Sequence, residues 1–411
     1  MKNFLTAINA KRLINRINEL GKIGIDSQGR RTRLALDDSD KLARDKLIEW
    51  MKAAGLRIII DKIGNIIALW ENDSNKNKSA VMTGSHIDTV INAGQFDGCY
   101  GVIAGLEVIQ TLKEANINFP RPLAVAAFTN EEGVRYSPDM LGSLVYAGGM
   151  TPSQAHKIIG IDKTILGDEL ARINYAGTSE PGCIKPHAFI ELHIEQGPIL
   201  DSQNYDVGAV ENLQGISWQK IIIEGVQNHA GTTPILYRQD AGLAAAKIIT
   251  FLRTLCENNT LATVGCIEFQ PNAINVIPSR AILTADLRNP DENLLCESEN
   301  KLANFIVELE KSDRVKIFVE RLSRFKPVIF DSKIVELVEK FAAKYNLKCR
   351  RITSGAGQDA QNMALICPTA MIFAPSKDGI SHNPREFTSE KNLISCANVL
   401  FDVIQELAKE A

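Results

Sequence analysis

Five short segments of this 411-residue chain carry histidine, aspartate or glutamate at or near predicted strand ends or turns, and together these residue types suit divalent cations. The segments read, in chain order, GSHIDTV, GQFDGCYGV, TNEEG, ELHIEQGP and SHNPRE. Their candidate residues are His86, Asp88, Asp97, Glu131, Glu132, His193 and His382. Each alone is weak evidence, because a single histidine at a strand end is more often structural and a glutamate pair is usually solvated. The glutamate pair, however, follows the apolar run PLAVAAFT (122–129), where unpaired carboxylates are costly and need a positive partner.

A pair of divalent cations would supply that positive charge. Two ions about 3.5–4 Å apart need one bridging carboxylate and a further pair of ligands each. The candidate residues meet this count. One ion could take two histidines, the other a histidine and a glutamate, and both could share an aspartate. The second glutamate of the pair is then free to act as a general base. Asp88 lies two residues after His86 and can hydrogen-bond a ligand histidine.

The elements that carry these segments alternate between strand and helix. Helices are predicted over 39–54 and 99–115, and strands over 56–60, 65–70, 79–84, 122–129 and 187–197. This alternation predicts an α/β fold with a mostly parallel sheet covered by helices on both faces. Ligands of such sheets bind beyond the carboxyl ends of the strands, which is where His86, Glu131 and His193 fall.

The pattern changes near residues 212–216. The predicted elements are strand 217–225, helix 239–255, strands 262–269 and 279–286, helix 292–310 and strand 315–322. This β-α-β-β-α-β order is the signature of a ferredoxin-like α+β unit. Strand and helix alternate again from about 330, and the last helix is predicted over 389–408. We therefore predict a discontinuous catalytic domain, 1–213 and 330–411, interrupted by an inserted domain, 214–329.

Composition excludes several classes of function. The chain has 46 Lys and Arg against 49 Asp and Glu, a balance that argues against a nucleic-acid binder. No run approaches the ~20 apolar residues of a membrane helix. Lys11, Arg12 and Arg16 interrupt the apolar region that a signal peptide would need, so we expect a cytoplasmic protein. The motifs GxSxG, GxGxxG and GxxxxGK[ST] are absent, which disfavours a serine hydrolase or a nucleotide-binding enzyme.

In their order, the five segments resemble the dinuclear zinc amidohydrolases of the amidase/hydantoinase-carbamoylase family, over about residues 10–405. The segment EEGVRYSPDMLGSLVYAGG supports this branch, since related aminoacylases and dipeptidases diverge after the glutamate pair. The resemblance implies hydrolysis of the carbamoyl C–N bond of an N-carbamoyl-L-amino acid, with release of amino acid, CO2 and ammonia. The alternatives are allantoate, an N-acyl amino acid or a dipeptide as substrate. A non-catalytic binding protein is disfavoured, because no ligand and no general base has been lost.

The resemblance also implies a metal-binding set, which by position is His86, Asp97, Glu132, His193 and His382. His86 and His193 would hold one ion, and Glu132 and His382 would hold the other. Asp97 would bridge the two ions. Glu131 would be the general base, and the peptide bond after Asp97 would be cis. Two divalent ions per subunit are therefore expected, with zinc the first candidate and manganese, cobalt or nickel as alternatives.

A second set of residues resembles the family's substrate-binding groups: Arg288, Asn275, His229, Gln196, Gln214 and Gly357. Arg288 and Asn275 would grip a substrate carboxylate, and His229 of a neighbouring subunit would reach the oxyanion. Gln196 and Gln214 would contact the substrate or the hinge, and Gly357 would line the pocket. The inserted domain would then be a lid and the interface of a homodimer. The expected partner is a small ureido or amide substrate with a carboxylate, and neither nucleic acid nor membrane.

One residue departs from the family's pattern. The segment SGAGQDA (354–360) has Gln358 where this branch usually carries histidine. Glutamine cannot titrate and is not a comparable metal ligand, so a proton-transfer role is not expected there. We expect an altered choice of substrate instead. His156 and His187 lie in no such motif and are predicted to be structural.

Overall fold

Residues 7–410 are described by the structure, a computed structural model, and they divide into two units. The first unit comprises the described residues up to Glu211 together with those from Phe330 onward. The second comprises Asn212–Ile329. Among the described residues, no helix has both the length and the apolar character that crossing a bilayer requires.

The helices and strands follow one another along both units. The helices are α1 (Ala10–Leu20), α2 (Asp38–Ala53), α3 (Cys99–Glu114), α4 (Leu141–Tyr146), α5 (Pro152–Ala155), α6 (Leu166–Arg172), α7 (Ile199–Ser202), α8 (Ala241–Thr254), α9 (Glu292–Asp313), α10 (Ser332–Lys344), α11 (Asp359–Met363) and α12 (Glu390–Ala408). The strands are β1 (Arg57–Ile60), β2 (Ile66–Trp70), β3 (Ala80–His86), β4 (Leu123–Phe128), β5 (Pro186–Ile194), β6 (Val207–Leu213), β7 (Gly215–Glu224), β8 (Asn228–His229), β9 (Leu261–Thr263), β10 (Ile267–Gln270), β11 (Val276–Ile277), β12 (Arg280–Asn289), β13 (Lys316–Phe325), β14 (Val328–Ile329), β15 (Cys349–Ser354) and β16 (Thr369–Ala374).

The first unit is built on a sheet whose four central strands are parallel. Its strand order is β1-β2-β4-β3-β5-β16-β6, with β15 also paired to β6. The strands β4, β3, β5 and β16 run parallel, while β2 and β6 join antiparallel at the two sides. Every residue of β3 and β4 is buried. Because successive side chains point to opposite faces, both faces of these strands are covered. The predicted mixed α/β fold with a mostly parallel central sheet is confirmed.

The second unit is built on an antiparallel sheet. Its order is β10-β12-β7-β13, with β9 also paired to β12. Alternate residues of β12 are buried in a cluster with residues of α8 and α9. The single strand predicted over 262–269 is wrong: β9 and β10 are separate and pair with different parts of β12. The residues between them include Gly265, and glycine weakens a strand interior.

Helix α2 is tied to the strand ends of the first unit by a buried ion pair. Arg44 donates to Asp40, one turn earlier, at 2.7 Å, and both side chains are almost fully buried. The same guanidinium donates to the carbonyl of Gly64, before β2, and to the hydroxyl of Thr129, just after β4. Arg44 thereby fixes the backbone that leads into the glutamate pair.

Replacing Arg44 by methionine removes this cation and leaves Asp40 buried without it. Breaking one half of a buried ion pair costs ~3–5 kcal/mol, so we expect the free energy of unfolding of the first unit to fall by that order. Lys41→Met is the matched control, because Lys41 pairs with Asp45 at the same spacing in α2 on the exposed surface. Exposed pairs contribute below ~1 kcal/mol. Urea titrations followed by circular dichroism measure both variants, and equally small losses would contradict the role of Arg44.

Candidate metal centre

The parallel strands of the first unit bring the predicted ligands to one edge of the sheet. His86 is the last residue of β3, and His193 is next to last in the neighbouring β5. Glu131 and Glu132 follow the end of β4, which pairs with β3 on its other side. Asp97 precedes the start of α3. Carboxyl ends of parallel strands meet at the same edge, so residues distant in the chain become neighbours.

Two groups of donor atoms result, and Asp97 belongs to both. Within each group, His86–Asp97–His193 and Asp97–Glu132–His382, the donor atoms all lie within 4.8 Å of one another. Oδ1 of Asp97 is 3.2 Å from Nε2 of His193 and 3.6 Å from Nε2 of His86. Its Oδ2 is 3.3 Å from Nε2 of His382, which is 3.5 Å from Oε2 of Glu132. One carboxylate thus presents a separate oxygen to each group, as a bridging ligand must.

Backbone carbonyls set the direction of the two buried histidines. Nδ1 of His86 is 3.0 Å from the carbonyl oxygen of Asp88, and Nδ1 of His193 is 2.9 Å from that of Ile194. A carbonyl only accepts, so Nδ1 carries the proton in each neutral ring and Nε2 keeps a lone pair. The lone pair of His86 is directed to the side of Asp97, where a metal ion would bind. That of His193 accepts the backbone N–H of Gly98 at 3.0 Å, a contact that a metal ion would replace.

Asp88 supports the site differently from the prediction. It reaches His86 through its backbone carbonyl, while its carboxylate Oδ1 remains 3.8 Å from Nδ1 of that ring. The carboxylate instead accepts the backbone N–H groups of Glu131, at 3.2 Å, and of Glu132, at 3.3 Å. Through these two hydrogen bonds the buried Asp88 holds the backbone of the glutamate pair. A sequence shows spacing between side chains but not which backbone group a side chain will meet.

The site carries more negative charge than its own groups can balance. Burial, together with the neighbouring Glu132, raises the pKa of Glu131 well above its usual range. Burial and the nearby Asp97 raise the pKa of Glu132 to about 8, and its Oε1 is buried with no hydrogen-bond partner among residues 7–410. Burial favours protonation of Asp97 too, yet hydrogen bonds from three histidines keep its pKa well below the ordinary value. This donor set fits a divalent cation, which would neutralise these groups together.

A glycine makes room for the ligands at the start of α3. Gly98 has φ +61°, and a Cβ atom there would collide with the imidazole of His86. The N–H of Cys99 donates to the carbonyl of Asp97 at 2.6 Å, which closes a γ-turn of the rare positive-φ type. The cis peptide expected after Asp97 is wrong, because the cis bonds of the described chain are at Pro138 and Pro271. The γ-turn makes the sharp change of direction instead.

Glu386 is a buried residue of this centre that the sequence analysis missed. Its Oε1 accepts the backbone N–H groups of Phe96, at 2.8 Å, and of Asp97, at 3.3 Å. The hydroxyl of Ser381 lies 3.1 Å from both Oε2 of Glu386 and Oδ2 of Asp97. Burial, together with Asp97, raises the pKa of Glu386 to about 7. Its signal was available: Glu386 ends the segment SHNPRE, four residues after His382.

Gln196 lies at the centre itself. Its Nε2 donates to Oδ2 of Asp97 at 2.8 Å and is 3.4 Å from Nε2 of His382. Its own Oε1 accepts from Gln358 at 2.7 Å. Gly357, the neighbouring residue of the SGAG turn, packs beside the side chain of Met140. Gln196 therefore contacts two of the candidate ligands, and Gly357 lies one residue before its partner Gln358.

The four predicted substrate-binding residues of the second unit fall into two pairs. Arg288 of β12 lies opposite Ile216 of β7, and Gln214 immediately precedes β7 at this end. At the other end of the two strands, Arg280 lies opposite Glu224. His229 and Asn275 follow that other end: His229 pairs with Val276 of β11, and the carbonyl of Asn275 accepts from Ala230. Eight residues of strand separate the two ends, about 27 Å at ~3.4 Å per residue.

Local contacts orient two of these side chains. Nδ1 of His229 accepts the backbone N–H groups of Gly231, at 3.0 Å, and Thr232, at 3.1 Å. The neutral ring therefore carries its proton on Nε2, which can donate. Arg288 donates from Nε and Nη2 to the carboxylate of Asp286, two residues before it on the same face of β12. The guanidinium plane is thus fixed, although part of its donor set is used within the unit.

The two histidines outside the motifs have other contacts. Nε2 of His156 is 2.7 Å from the carbonyl of Lys62, and Nε2 of His187 is 2.7 Å from the carboxylate of Glu410. Neither belongs to the donor groups described above.

The chain matches known proteins over nearly its whole length. Residues 82–406 match the model of peptidase family M20/M25/M40. The N-carbamoyl-L-amino-acid amidohydrolase of Rhizobium meliloti is 36% identical, over 98% of this chain and 97% of that protein. The ureidoglycolate hydrolase of Arabidopsis thaliana is 34% identical, over 98% and 87%. A crystal structure of an amidase of the hydantoinase/carbamoylase family from Burkholderia multivorans has a TM-score of 0.94 at 37% identity, over 98% and 99%.

The fold, the donor groups and these matches define a hydrolase that acts on carbon–nitrogen bonds. The chain belongs to peptidase family M20/M25/M40 and, within it, to the hydantoinase/carbamoylase amidases. The resemblance of the five segments is thereby confirmed.

Gly98→Ala should weaken metal binding, because the added methyl group meets the His86 ring and the backbone has positive φ. We expect a loss of at least about 10-fold in metal affinity, of the order seen when a ligand loses its support. Gly29→Ala is the matched control, since Gly29 has φ +76° but open space around its Cβ position. Metal content after dialysis, measured by plasma mass spectrometry, compares the two. Full metal content in Gly98→Ala would contradict this placement of His86.

Proposed function

We propose that this chain is a dinuclear metal amidohydrolase that hydrolyses the carbamoyl C–N bond of an N-carbamoyl-L-amino acid. The products would be the L-amino acid, CO2 and ammonia. The observation that carries the proposal is Asp97, whose two carboxylate oxygens face two separate groups of imidazole and carboxylate donors. The similarity to an N-carbamoyl-L-amino-acid amidohydrolase over 98% of the chain supports the same reaction.

The proposed ligands of one ion are His86 and His193, those of the other are Glu132 and His382, and Asp97 bridges. When bound, such ions polarise the substrate carbonyl and lower the pKa of the attacking water. Zinc suits imidazole and carboxylate ligands best, and manganese, cobalt or nickel are alternatives. The unpartnered buried Oε1 of Glu132 and the raised pKa of that residue both fit a cation at this position.

Glu131 is proposed as the general base. Its Oε2 lies 3.4 Å from Nε2 of His86, and its backbone is held by the carboxylate of Asp88. Burial raises its pKa, which brings a carboxylate closer to the range useful for proton transfer at neutral pH. Glu131 would take a proton from the attacking water and return it to the leaving nitrogen. The carbamate released would then decay to CO2 and ammonia.

The second unit is proposed to be an inserted ferredoxin-like domain, 214–329, that serves as lid and dimer interface for a catalytic domain, 1–213 and 330–411. The arrangement of its binding residues supports a homodimer. Arg288 lies at one end of the β7–β12 pair and the segment of His229 follows the other end, about 27 Å away along the strands, which favours binding of one small substrate by Arg288 of one copy and His229 of another. A second copy would supply His229 as an oxyanion donor, with Asn275 beside it.

An exposed edge supports the same interface. Strand β13 is paired to β7 on one side only among the described strands. Its side chains Phe318, Val319, Leu322 and Phe325 are exposed. An exposed edge strand with apolar side chains is a ready site for pairing with another chain.

Ureidoglycolate is the second candidate substrate, because a ureidoglycolate hydrolase is 34% identical over 98% of this chain. Both candidates contain a ureido group and a carboxylate. Arg288 of one copy and Asn275 of the other are proposed to bind that carboxylate, and Gln214 is proposed to contact the substrate or the hinge. The test is a panel of N-carbamoyl-L-amino acids, ureidoglycolate, allantoate, N-acetyl amino acids and dipeptides, assayed for ammonia or amine release after metal reconstitution. We expect the highest kcat/KM with an N-carbamoyl-L-amino acid. Turnover of dipeptides alone would overturn the proposal.

Glu131→Gln should abolish turnover but keep the metal. Loss of a general base lowers rates by about 10²- to 10⁴-fold, and we expect kcat to fall in that range. Glu132→Gln is the contrasting variant, because it removes a proposed ligand and should lose both metal and activity. Steady-state kinetics and metal analysis of the two proteins separate these roles. Near-normal turnover of metal-loaded Glu131→Gln would rule out its role as base.

Metal affinity should fall as the pH falls. A hydrogen bond to Asp97 raises the pKa of His382 to about 9 in the metal-free chain, so its ring is protonated at neutral pH. A metal ion binds only the neutral ring, and below that pKa each displaced proton costs about 10-fold in affinity per pH unit. Competition titrations with a zinc indicator between about pH 6 and pH 9 measure the slope. His382→Ala should have a smaller slope, and a pH-independent affinity in the parent chain would contradict the assignment.

A further inference from the structure

Gln358, the glutamine of the segment SGAGQDA, is buried. It precedes α11 at the end of the SGAG turn. Its Nε2 donates to Oε1 of Gln196 at 2.7 Å, and Nε2 of Gln196 donates to Oδ2 of Asp97 at 2.8 Å. A chain of two amides therefore connects this position to the carboxylate shared by the two donor groups.

The chemistry of the chain fixes which way each amide points. The carboxylate of Asp97 only accepts hydrogen bonds, so Gln196 must present its NH2 group there. The remaining oxygen of Gln196 only accepts, so Gln358 must present its own NH2 group to Gln196. The free end of Gln358 is consequently its carbonyl oxygen, and the amide cannot flip without breaking a bond in the chain.

That carbonyl oxygen has no hydrogen-bond partner in the part of the chain that the structure describes. Oε1 of Gln358 is buried and accepts no hydrogen bond from residues 7–410. An unsatisfied buried acceptor is costly, and native structures rarely retain one without a reason. A donor group that reached this oxygen would lie two amides away from the proposed bridging ligand.

We propose that Oε1 of Gln358 accepts a hydrogen bond from the terminal NH2 group of a ureido substrate and thereby selects carbamoyl over acyl compounds. This inference rests on the proposed function. A carbamoyl group ends in NH2, which donates, whereas an acetyl group of nearly the same shape ends in CH3, which cannot. An acyl substrate would leave the buried oxygen unpaired, and sites built around such a hydrogen bond discriminate strongly against the analogue that lacks it.

The test compares one L-amino acid in its N-carbamoyl and N-acetyl forms. Gln358→Met has nearly the same length without hydrogen-bonding groups. We expect it to lower kcat/KM for the carbamoyl form by about 10- to 100-fold and for the acetyl form by less than about 3-fold. Gln361→Met is the matched control, one turn further along, and should change neither value. Gln358→His should keep most of the preference, because one ring nitrogen can donate to Gln196 while the other accepts.

Binding measured without turnover provides a second readout. In the Glu131→Gln background, calorimetry should show tighter binding of the N-carbamoyl form than of the N-acetyl form. Adding Gln358→Met should bring the two dissociation constants closer together. The proposal would be overturned if Gln358→Met lost the same factor in affinity for both forms, or if it lost bound metal. Gln358 would then only position the centre, or its Oε1 would bind only an ordered water. Failure of the parent chain to hydrolyse any N-carbamoyl amino acid would instead overturn the proposed function itself.

Discussion

The crowding of buried carboxylates at the ends of three parallel strands is the constraint on which this structure depends. Asp97, Glu131 and Glu132 lie together, and Glu386 is buried behind the first of them. Burying one unpaired carboxylate is expensive, and burying several in contact is tolerable only with compensating positive charge. Three histidines supply part of that charge when protonated, and bound cations would supply all of it. The fold therefore defines a place for metal before any ion is considered.

Hydrogen bonds between distant loops hold this unfavourable arrangement in place. Glu386 binds the backbone at Asp97 across almost 300 residues of sequence, and Asp88 binds the backbone of Glu131. Arg44 anchors α2 to Thr129, immediately before the same loop. Glu386 and Asp88 each use a carboxylate to fix a backbone, which leaves the side chains of the proposed ligands free to point at a cation. The rigidity of the centre comes from these supports, which are as buried as the ligands themselves.

Part of the donor groups could be predicted from the residues alone, because their signals are local. The predicted strands 79–84 and 122–129 lead into His86 and Glu131, and a parallel sheet implies that their carboxyl ends meet. The complete set with Asp97 and His382 was predicted from the resemblance of the five segments to a family. The supports carry no such signal. The role of Asp88 depends on which backbone amide comes within reach, and that of Glu386 on a loop closing far away in the chain. The prediction of one strand over 262–269 was wrong for a related reason. The separate pairing of β9 and β10 with two parts of β12 depends on tertiary structure.

The amide at position 358 presents a permanent acceptor to the centre. A histidine ring donating to the same oxygen of Gln196 would also accept while neutral, but on gaining a proton it would become a donor. An amide held at one end by Gln196 has no such freedom, because Asp97 determines the direction of both amides. The carboxylate of Asp97 thus fixes the orientation of two neutral amides, and the second amide presents its oxygen as an acceptor. Selectivity at this position follows from the same carboxylate that the metal ions are proposed to share.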